Sequence, residues 1–308
     1  MPPGAEVNLF GNVLVGVDGR SGGRDAIALA KRLARPHARI VLATAYGDGG
    51  PFGSGAGVPL ATEGQEAAQL LADERLAAGI EAETVACPAR APAQALHRLA
   101  DENGSDLLVL GSSRRGRVGR VLLGDDTLAS LQGAPCAVAI APHGYVGTAH
   151  GLRRIAVGAD SSAEGELALE LARRLARRTE AVVTAICVVP LGTLPTEVAV
   201  PADWTTETEA VMEAEHARLD AIEGVESRVL YGRPSHELAR HASEFDLMIV
   251  GSRGYGPVGR LLAGSVSRYL ARHAQCPILV LTRPFIPSAA AGPGGPSPDP
   301  HEPLAPTS

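Results

Sequence analysis

The chain has 308 residues, 45% of them hydrophobic and only 3% aromatic, and its formal net charge is −6 at pH 7. This length suggests two domains of about 150 residues each, and the acidic balance argues against a general affinity for nucleic acid. No apolar run reaches the roughly 18 residues of a membrane-spanning helix, and the first ten residues resemble no secretion signal. The four cysteines form no C-x-x-C pair, which is typical of reduced thiols. Composition therefore predicts a cytoplasmic protein without membrane or nucleic-acid partners.

Short apolar runs alternate with amphipathic stretches along the whole chain. In the first half, the pattern predicts strands at residues 12–17, 39–45, 80–85, 106–110 and 136–141, with helices at 25–35, 64–78 and 92–102. The second half repeats the series, with strands at 154–159, 182–188, 225–231, 246–250 and 276–281 and with helices around 168–176, 207–222 and 234–244. A further helix is expected after the fourth strand of each half. Five strands alternating with four helices predict an α/β fold, two tandem doubly wound parallel sheets.

A glycine-rich segment follows the fourth strand in each half. The second-half segment reads GSRGYGPVGRLLAGS and begins at Gly251; the first-half segment reads GSSRRGRVGRVLLGD, begins at Gly111, and is identical at eight of fifteen positions. A buried strand, a glycine-rich turn and a helix that begins after Gly-Ser place main-chain N–H groups around an anion, and the helix N-terminus adds partial positive charge. The repeat therefore predicts a tandem nucleotide-binding protein.

These residues resemble the universal stress protein family, whose ATP-binding members carry a G-x2-G-x9-G-[S/T] pattern after the fourth strand. Gly251, Gly254, Gly264 and Ser265 satisfy this pattern. The resemblance implies two Rossmann-like (adenine nucleotide alpha hydrolase-like) units, each with strand order 3-2-1-4-5. It also implies an ATP-binding module of the stress response. The expected divisions are an N-terminal tail at 1–10, units at 11–143 and 152–284, a linker at 144–151, and a disordered Pro- and Gly-rich tail at 285–308.

The ligand site is expected where the strand order reverses, at the carboxyl ends of strands 1 and 4. By the resemblance, the strand-1 aspartate and a main-chain group at the end of strand 2 hold the adenosine, and the glycine pattern holds the phosphates. The candidate ATP-binding residues of the second unit are Asp160, Cys187, Gly251, Arg253, Gly254, Gly264, Ser265, Val266 and Ser267. Those of the first unit are Asp18, Ala45, Gly111, Arg114 and Gly124. The aspartates have an alternative role, in that each could simply begin the turn before the first helix.

The two sites are expected to be unequal. Gly254 is matched by Arg114 and Ser265 by Asp125, so the first unit could close its own helix N-terminus with a carboxylate and bind ATP weakly or not at all. In the second unit, a β-carbon at Gly254 or Gly264 is expected either to crowd the phosphates or to require a left-handed backbone.

No catalytic residues are predicted. The glycines are followed by no Walker lysine, no G-x-S-x-G sequence occurs, and the histidines form no metal-binding signature, so hydrolysis is expected to be slow and the protein to supply no metal site. Whether Mg²⁺ binds together with ATP is left open. The alternative function is an adenylate-forming enzyme, because Ser21-Gly22-Gly23-Arg24-Asp25 resembles the S-G-G-x-D-S loop of ATP pyrophosphatases. The two units are expected to pack as an intramolecular pseudo-dimer, and a homodimer of the chain is left open.

Overall fold

Ten strands form one continuous sheet in the computed structural model, which describes residues 10–47, 60–112, 129–147, 151–190, 203–252 and 264–281. The strands of the first unit are β1 (Phe10–Gly16), β2 (Ala34–Tyr46), β3 (Glu83–Pro88), β4 (Leu107–Gly111) and β5 (Ala137–Ala141). Those of the second unit are β6 (Arg154–Gly158), β7 (Val182–Pro190), β8 (Glu226–Gly232), β9 (Leu247–Gly251) and β10 (Ile278–Leu281).

Helices alternate with these strands. The described ones are α1 (Ser21–Leu33), α2 (Leu60–Ala78), α3 (Pro92–Glu102), α4 (Ala163–Thr179), α5 (Asp203–Asp220), α6 (Pro234–His241) and α7 (Ser265–His273). Short 3₁₀ turns lie at Tyr145–Gly147 and Ala242–Glu244. The predicted α/β class with tandem units is confirmed. None of the helices in the described ranges is long and apolar enough to cross a membrane.

The strand order is β3-β2-β1-β4-β5-β10-β9-β6-β7-β8. Within each unit every pairing is parallel, and the order of each unit corresponds to 3-2-1-4-5. In both units the first strand pairs with the second on one side and the fourth on the other, so the direction of winding reverses between strands 1 and 4. A crevice must open there, at the carboxyl ends of the strands.

The two units meet through their last strands. β5 and β10 are antiparallel, and Ala139 pairs with Leu279, the residue 140 positions later. Since Gly251 also follows Gly111 by 140 positions, Ala139 and Leu279 occupy the same place in their repeats. An antiparallel pair centred on equivalent residues requires a pseudo-twofold axis at that point. The last strand of each unit, β5 or β10, is therefore paired by the other unit, while β3 and β8 form the two edges of the ten-stranded sheet.

The sheet is buried on both faces, as its composition predicts. Val13 and Val15 of β1 pack into one apolar cluster, and Leu14 between them packs into the other. The cluster on the α1 and α4 side includes buried residues of both units, among them Leu33 and Leu175. Small and branched aliphatic side chains fill both clusters, which suits parallel strands covered by helices.

The linker is anchored to the first helix by Asp25. This fully buried carboxylate accepts hydrogen bonds from the main-chain N–H groups of Gly144 and Val146, each at 2.8 Å. The guanidinium of Arg32 lies over the ring of Tyr145, 5.1 Å from its centroid. Asp25 therefore holds the first residues after β5 against α1, and its carboxylate is occupied by that contact.

Several boundaries differ from those that the sequence pattern predicts. Helix α1 begins at Ser21 instead of residue 25, because its first turn contains glycines and polar residues that carry no apolar periodicity. Strand β3 begins at Glu83 instead of residue 80. Ile80 belongs to the end of α2, where its N–H bonds to the carbonyl of Arg75 after the left-handed Gly79. An apolar residue after such a glycine closes a helix end and resembles the start of a strand in the sequence.

Candidate functional site

The crevice of the second unit lies between the ends of β6 and β9. These strands pair as far as Val157 and Ile249 and then diverge, β6 toward β7 and β9 toward β10. The chain leaves β6 through Asp160 and leaves β9 through Ser252. The carboxyl ends of both strands therefore open onto the same space.

A cavity of about 420 Å³ occupies this space. The predicted site residues that line it are Asp160, Cys187, Gly251, Gly264, Ser265, Val266 and Ser267. The other two predicted residues, Arg253 and Gly254, lie outside the described residues. The structure thus brings together every described member of the predicted set, although they come from four separate stretches of the chain.

The cavity has further walls that sequence reasoning missed. They are Gly158, Ala159, Ser162, Glu164, Ile186, Val188, Pro234, Leu238, Val250 and Ser252. Most of them are apolar or small residues. Their spacing in the sequence predicts burial but gives no sign that they border a cavity. Ser162, Glu164 and Ser252 are different, because they bring polar groups to the cavity. A signal for Glu164 existed, since it interrupts the apolar and small residues that face the sheet, but an acidic residue in a first helical turn has an ordinary explanation as well.

In the first unit, the structure describes three of the five predicted residues. Asp18 follows β1, Ala45 lies in β2 and Gly111 ends β4, so they occupy the places equivalent to Asp160, Cys187 and Gly251. Arg114 and Gly124 lie outside the described residues.

Both strand-1 aspartates begin the turn before a helix. The Oδ1 atom of Asp18 accepts from the N–H groups of Arg20 at 3.0 Å and Gly23 at 3.3 Å. The Oδ1 atom of Asp160 accepts from the N–H of Ser162 at 3.2 Å and from its hydroxyl. The turn role that the sequence left open is therefore real for both residues. For Asp160 no hydrogen bond to Oδ2 occurs among the described residues, so that oxygen can accept from a ligand in the cavity.

The first glycine of each pattern is needed for packing against a helix. A β-carbon on Gly251 would lie 2.5 Å from the Cβ of Glu164 in α4, and one on Gly111 would lie 1.9 Å from the carbonyl oxygen of Gly22 in α1. Real carbon atoms do not approach so closely, so only glycine lets β4 and β9 pass beneath these helix N-termini. Packing of the strand against the helix is therefore one reason why both units have glycine at this position.

The N-cap residue of helix α7 gives no side-chain cap to the main-chain donors that border the cavity. Gly264 is its N-cap and offers no side-chain acceptor, while the first helical hydrogen bond runs from the N–H of Arg268 to the carbonyl of Gly264 at 3.1 Å. The hydroxyl of Ser267 donates to the same carbonyl at 3.1 Å. The N–H groups of Ser265, Val266 and Ser267 precede the first intrahelical bond, which makes this end suitable for an anion.

Part of the expectation for Gly264 is wrong. Its φ is −65° and its ψ is 170°, which is extended backbone open to any residue, so a left-handed conformation is not required there. What remains is crowding, because a side chain at the N-cap would project beside the open N–H groups.

Cys187 lies near the end of β7 and lines the cavity. Its side chain belongs to the apolar cluster on the α4 and α5 side, while the neighbouring Ile186 packs into the opposite cluster. The thiol lies 3.5 Å from Oε2 of Glu215. Burial and this carboxylate raise the pKa of Cys187 to about 11, so the sulfur is a neutral thiol near pH 7. A neutral thiol is a weaker nucleophile than a thiolate.

Two polar groups beside the cavity stand out by their burial. Ser252 is 1% exposed, and its hydroxyl has no hydrogen-bond partner within the described part of the chain. Ser112, its counterpart in the first unit, is in the same state. Glu164 is 8% exposed and is the second carboxylate of the cavity wall after Asp160. Over the described ranges, no group of three or more His, Cys, Asp or Glu residues could hold a metal ion.

Comparison with known proteins identifies the repeat. The family model described as "Universal stress protein family" matches residues 9–142 and again 151–282. A protein of Staphylococcus haemolyticus that is named as a universal stress protein is 30% identical over 144 residues, covering 44% of this chain and 87% of its own length.

Two solved structures match both units together. A protein of unknown function from Pseudomonas aeruginosa covers 90% of this chain and 94% of its own at a TM-score of 0.63 and 16% identity. A universal stress protein from Archaeoglobus fulgidus covers 89% of this chain and 98% of its own at a TM-score of 0.57 and 20% identity. These likenesses show a shared two-unit fold. The two family matches each cover one unit, and the two units have the same strand order. The protein therefore belongs to the universal stress protein family as a tandem member.

Proposed function

We propose that the second unit binds ATP and that the chain acts as a nucleotide-responsive module of the stress response, with little or no hydrolysis of its own. The observation that carries this proposal is the convergence on one cavity of the N-terminus of α7, the Asp160 carboxylate and the ends of β6 and β9. Over the described ranges, the Oδ2 atom of Asp160 accepts no hydrogen bond.

The cavity fits the chemistry of an adenine nucleotide. Its volume of about 420 Å³ lies in the range of small-molecule sites. Ile186, Val188 and Leu238 supply apolar walls suited to a base, and Asp160 supplies an acceptor suited to a ribose hydroxyl or an amino group. The N–H groups at the start of α7 suit phosphate oxygens. These groups lie on separate elements of the fold. They can therefore contact different parts of an extended ligand and fix its orientation.

Slow hydrolysis is expected because no lysine is available to the cavity of the second unit. Lys31 is the only lysine of the sequence, and its ammonium group donates to the carbonyl of Ala78 in the first unit at 3.0 Å. No lysine can therefore neutralise charge on a transferring phosphoryl group at the second-unit cavity. The role proposed is accordingly that of a binding module whose state depends on nucleotide.

The alternative of an adenylate-forming enzyme has less support. Its sequence signal is the run from Ser21 to Asp25, which forms the first turn of α1. Asp25 is fully buried and bound by the linker amides, and Gly22 packs against Gly111. Two of the five residues in this run are therefore engaged in contacts with the linker and with β4.

The substitution Gly264→Val tests the phosphate end of the proposed site. We expect calorimetry to show at least about tenfold weaker ATP binding, because the isopropyl group crowds the open N–H groups of α7. Adenosine, which lacks phosphates, is expected to lose much less. Gly151→Val is the matched control, since a β-carbon at Gly151 meets nothing within 4 Å. Unchanged ATP affinity in Gly264→Val would show that the phosphates bind elsewhere.

A further inference from the structure

We infer that the outer face of helices α6 and α7 is a docking surface for an acidic segment of a partner protein. This surface, which we call the arginine face, consists of Arg233, His236, Arg240, Arg268, Tyr269, Arg272 and His273. None of them lines the cavity proposed for ATP. The two surfaces can therefore be tested separately.

The two helices present one continuous surface to solvent. Leu238 of α6 and Leu270 of α7 are buried in the same apolar cluster, so the opposite sides of both helices face outward. The ring of His236 stacks on the ring of Tyr269, with centroids 4.4 Å apart, and so joins the two helices at the surface. Tyr269 is partly buried against the cluster, while the arginines and histidines of the arginine face are exposed.

Most of the positive charge on this face is unpaired. Arg240 forms an ion pair with Glu237 at 2.9 Å, whereas Arg233, Arg268 and Arg272 form none with any described residue. Helix α7 has no acidic residue, and its two arginines are four positions apart, a spacing at which like charges destabilise a helix. Arg268 also lies in the first turn, where the helix dipole disfavours a cation. An anionic partner would offset both costs.

The first unit has no such face. The repeat spacing is 142 for the helix before strand 4 and 140 for the helix after it. The equivalent residues include a single charged one and are, in chain order, Ala91, Gln94, Arg98, Leu128, Ala129, Gln132 and Gly133. That one arginine lies 3.6 Å from Glu102 as an ion pair. Since the net charge of the chain is −6, the arginine face is a local feature of the second unit.

The size and chemistry of the face fit a short acidic peptide. A guanidinium is a planar fork that can bond a carboxylate through two parallel N–H groups. Helices of eight and nine residues are about 12–14 Å long, which is the length of roughly four residues of extended chain. A longer polyanion would meet the negative charge of the rest of the molecule.

The stacked rings favour such a peptide over a nucleic acid. The ring centroids of His236 and His273 lie 4.4 Å and 3.9 Å from that of Tyr269, with interplanar angles of 29° and 16°. Two rings at these distances cannot share one face of a third, so both faces of Tyr269 are covered. Single-stranded nucleic acids bind by stacking their bases on open aromatic faces, and Tyr269 offers none.

The test measures the binding of a fluorescein-labelled peptide of about eight residues, in which Glu alternates with Ser, to the full chain by fluorescence anisotropy. We expect the peptide to bind and NaCl to weaken its binding. Arg268→Gln combined with Arg272→Gln should lower the affinity at least about tenfold, because two charge-assisted contacts are lost. A peptide with Gln in place of Glu should not bind.

The matched control combines Arg153→Gln with Arg177→Gln. These residues are exposed and lie before β6 and on α4, so the control removes the same charge away from the arginine face. Its peptide affinity should stay within about twofold of that of the unmodified chain, since distant charges are screened.

Failure of the Glu-containing peptide to bind, or an equal loss in the control pair, would overturn the inference. Tighter binding of a thymidine oligonucleotide of matched charge, lost in the Arg268 and Arg272 variant, would assign the face to nucleic acid instead. Sedimentation velocity covers the remaining occupant, because an oligomer of the unmodified chain that dissociates in this variant would identify a second copy as the partner. ATP binding, measured by calorimetry, should be unchanged in both double variants.

Discussion

At the residue scale, the most informative group is the buried hydroxyl of Ser252. Ser252 and Ser112 stand at the same repeat position after strand 4, both are at least 98% buried, and neither hydroxyl has a partner in the described part of the chain. Only Ser252 lines the cavity of the second unit. The pair therefore offers a comparison between a site residue and its structural twin.

We expect Ser252→Ala to change stability and affinity in opposite directions. Removal of an unsatisfied hydroxyl should leave the free energy of unfolding unchanged or raise it by about 1 kcal/mol. ATP affinity should fall, because the cavity loses a group able to form a hydrogen bond to the nucleotide. Chemical denaturation and calorimetry measure the two effects. Ser112→Ala should reproduce the stability change alone; a parallel loss of ATP affinity in both variants would contradict the assignment.

The first glycines of the pattern should matter for stability before they matter for binding. Gly111→Ala would place a β-carbon 1.9 Å from a main-chain oxygen, which cannot move without the helix, and we expect a loss of roughly 1–3 kcal/mol or more. Gly251→Ala meets the Cβ of Glu164 at 2.5 Å and should cost a similar amount. Gly151→Ala serves as the control. Thermal unfolding of the three variants tests this, and full stability of Gly111→Ala would refute the packing role.

At the element scale, the sequence pattern predicts the order of strands and helices better than it predicts where each one starts. Apolar periodicity detects the part of α1 that faces the sheet, so its glycine-rich first turn is missed. The same periodicity takes Ile80 for strand, although it closes the end of α2. The glycine spacing predicts that Gly251 binds phosphate, but in the structure a side chain at Gly251 would first collide with Glu164 of α4. Spacing within one segment could not predict this contact, because Glu164 lies 87 residues earlier in the chain.

Asp25 joins the first helix to the linker, so its substitution tests how these two elements are held together. Its carboxylate satisfies two main-chain N–H groups at the start of the linker, so Asp25→Ala would remove the acceptor of both donors. We expect a loss of about 2–4 kcal/mol in the free energy of unfolding, measured by chemical denaturation. Leu167 occupies the equivalent position in α4 and is 36% exposed. Leu167→Ala is therefore the control, and it should cost less than Asp25→Ala; the reverse order would contradict the anchoring role.

At the scale of the whole molecule, the antiparallel pair of β5 and β10 turns two sequence repeats into one sheet. The repeat predicts equivalent units and a pseudo-dimer, and the register of Ala139 with Leu279 gives the position of the axis. Sequence alone could not supply that register, since the two strands are similar aliphatic runs with no turn between them. It could, however, predict that the units differ where phosphate should bind, at Arg114 and Asp125. The structure adds that Glu164, whose counterpart in the first unit is Gly22, lines the cavity of the second unit.

The central claim is that two equivalent folds carry unequal sites, with ATP held by the second. Native mass spectrometry of the purified full chain titrated with ATP and Mg²⁺ tests it most directly. We expect one tightly bound ATP per chain, lost in Gly264→Val, and a stoichiometry that rises toward two when Arg114→Gly and Asp125→Ser are combined. Two equally tight sites in the unmodified chain, or one site that survives Gly264→Val, would contradict the account.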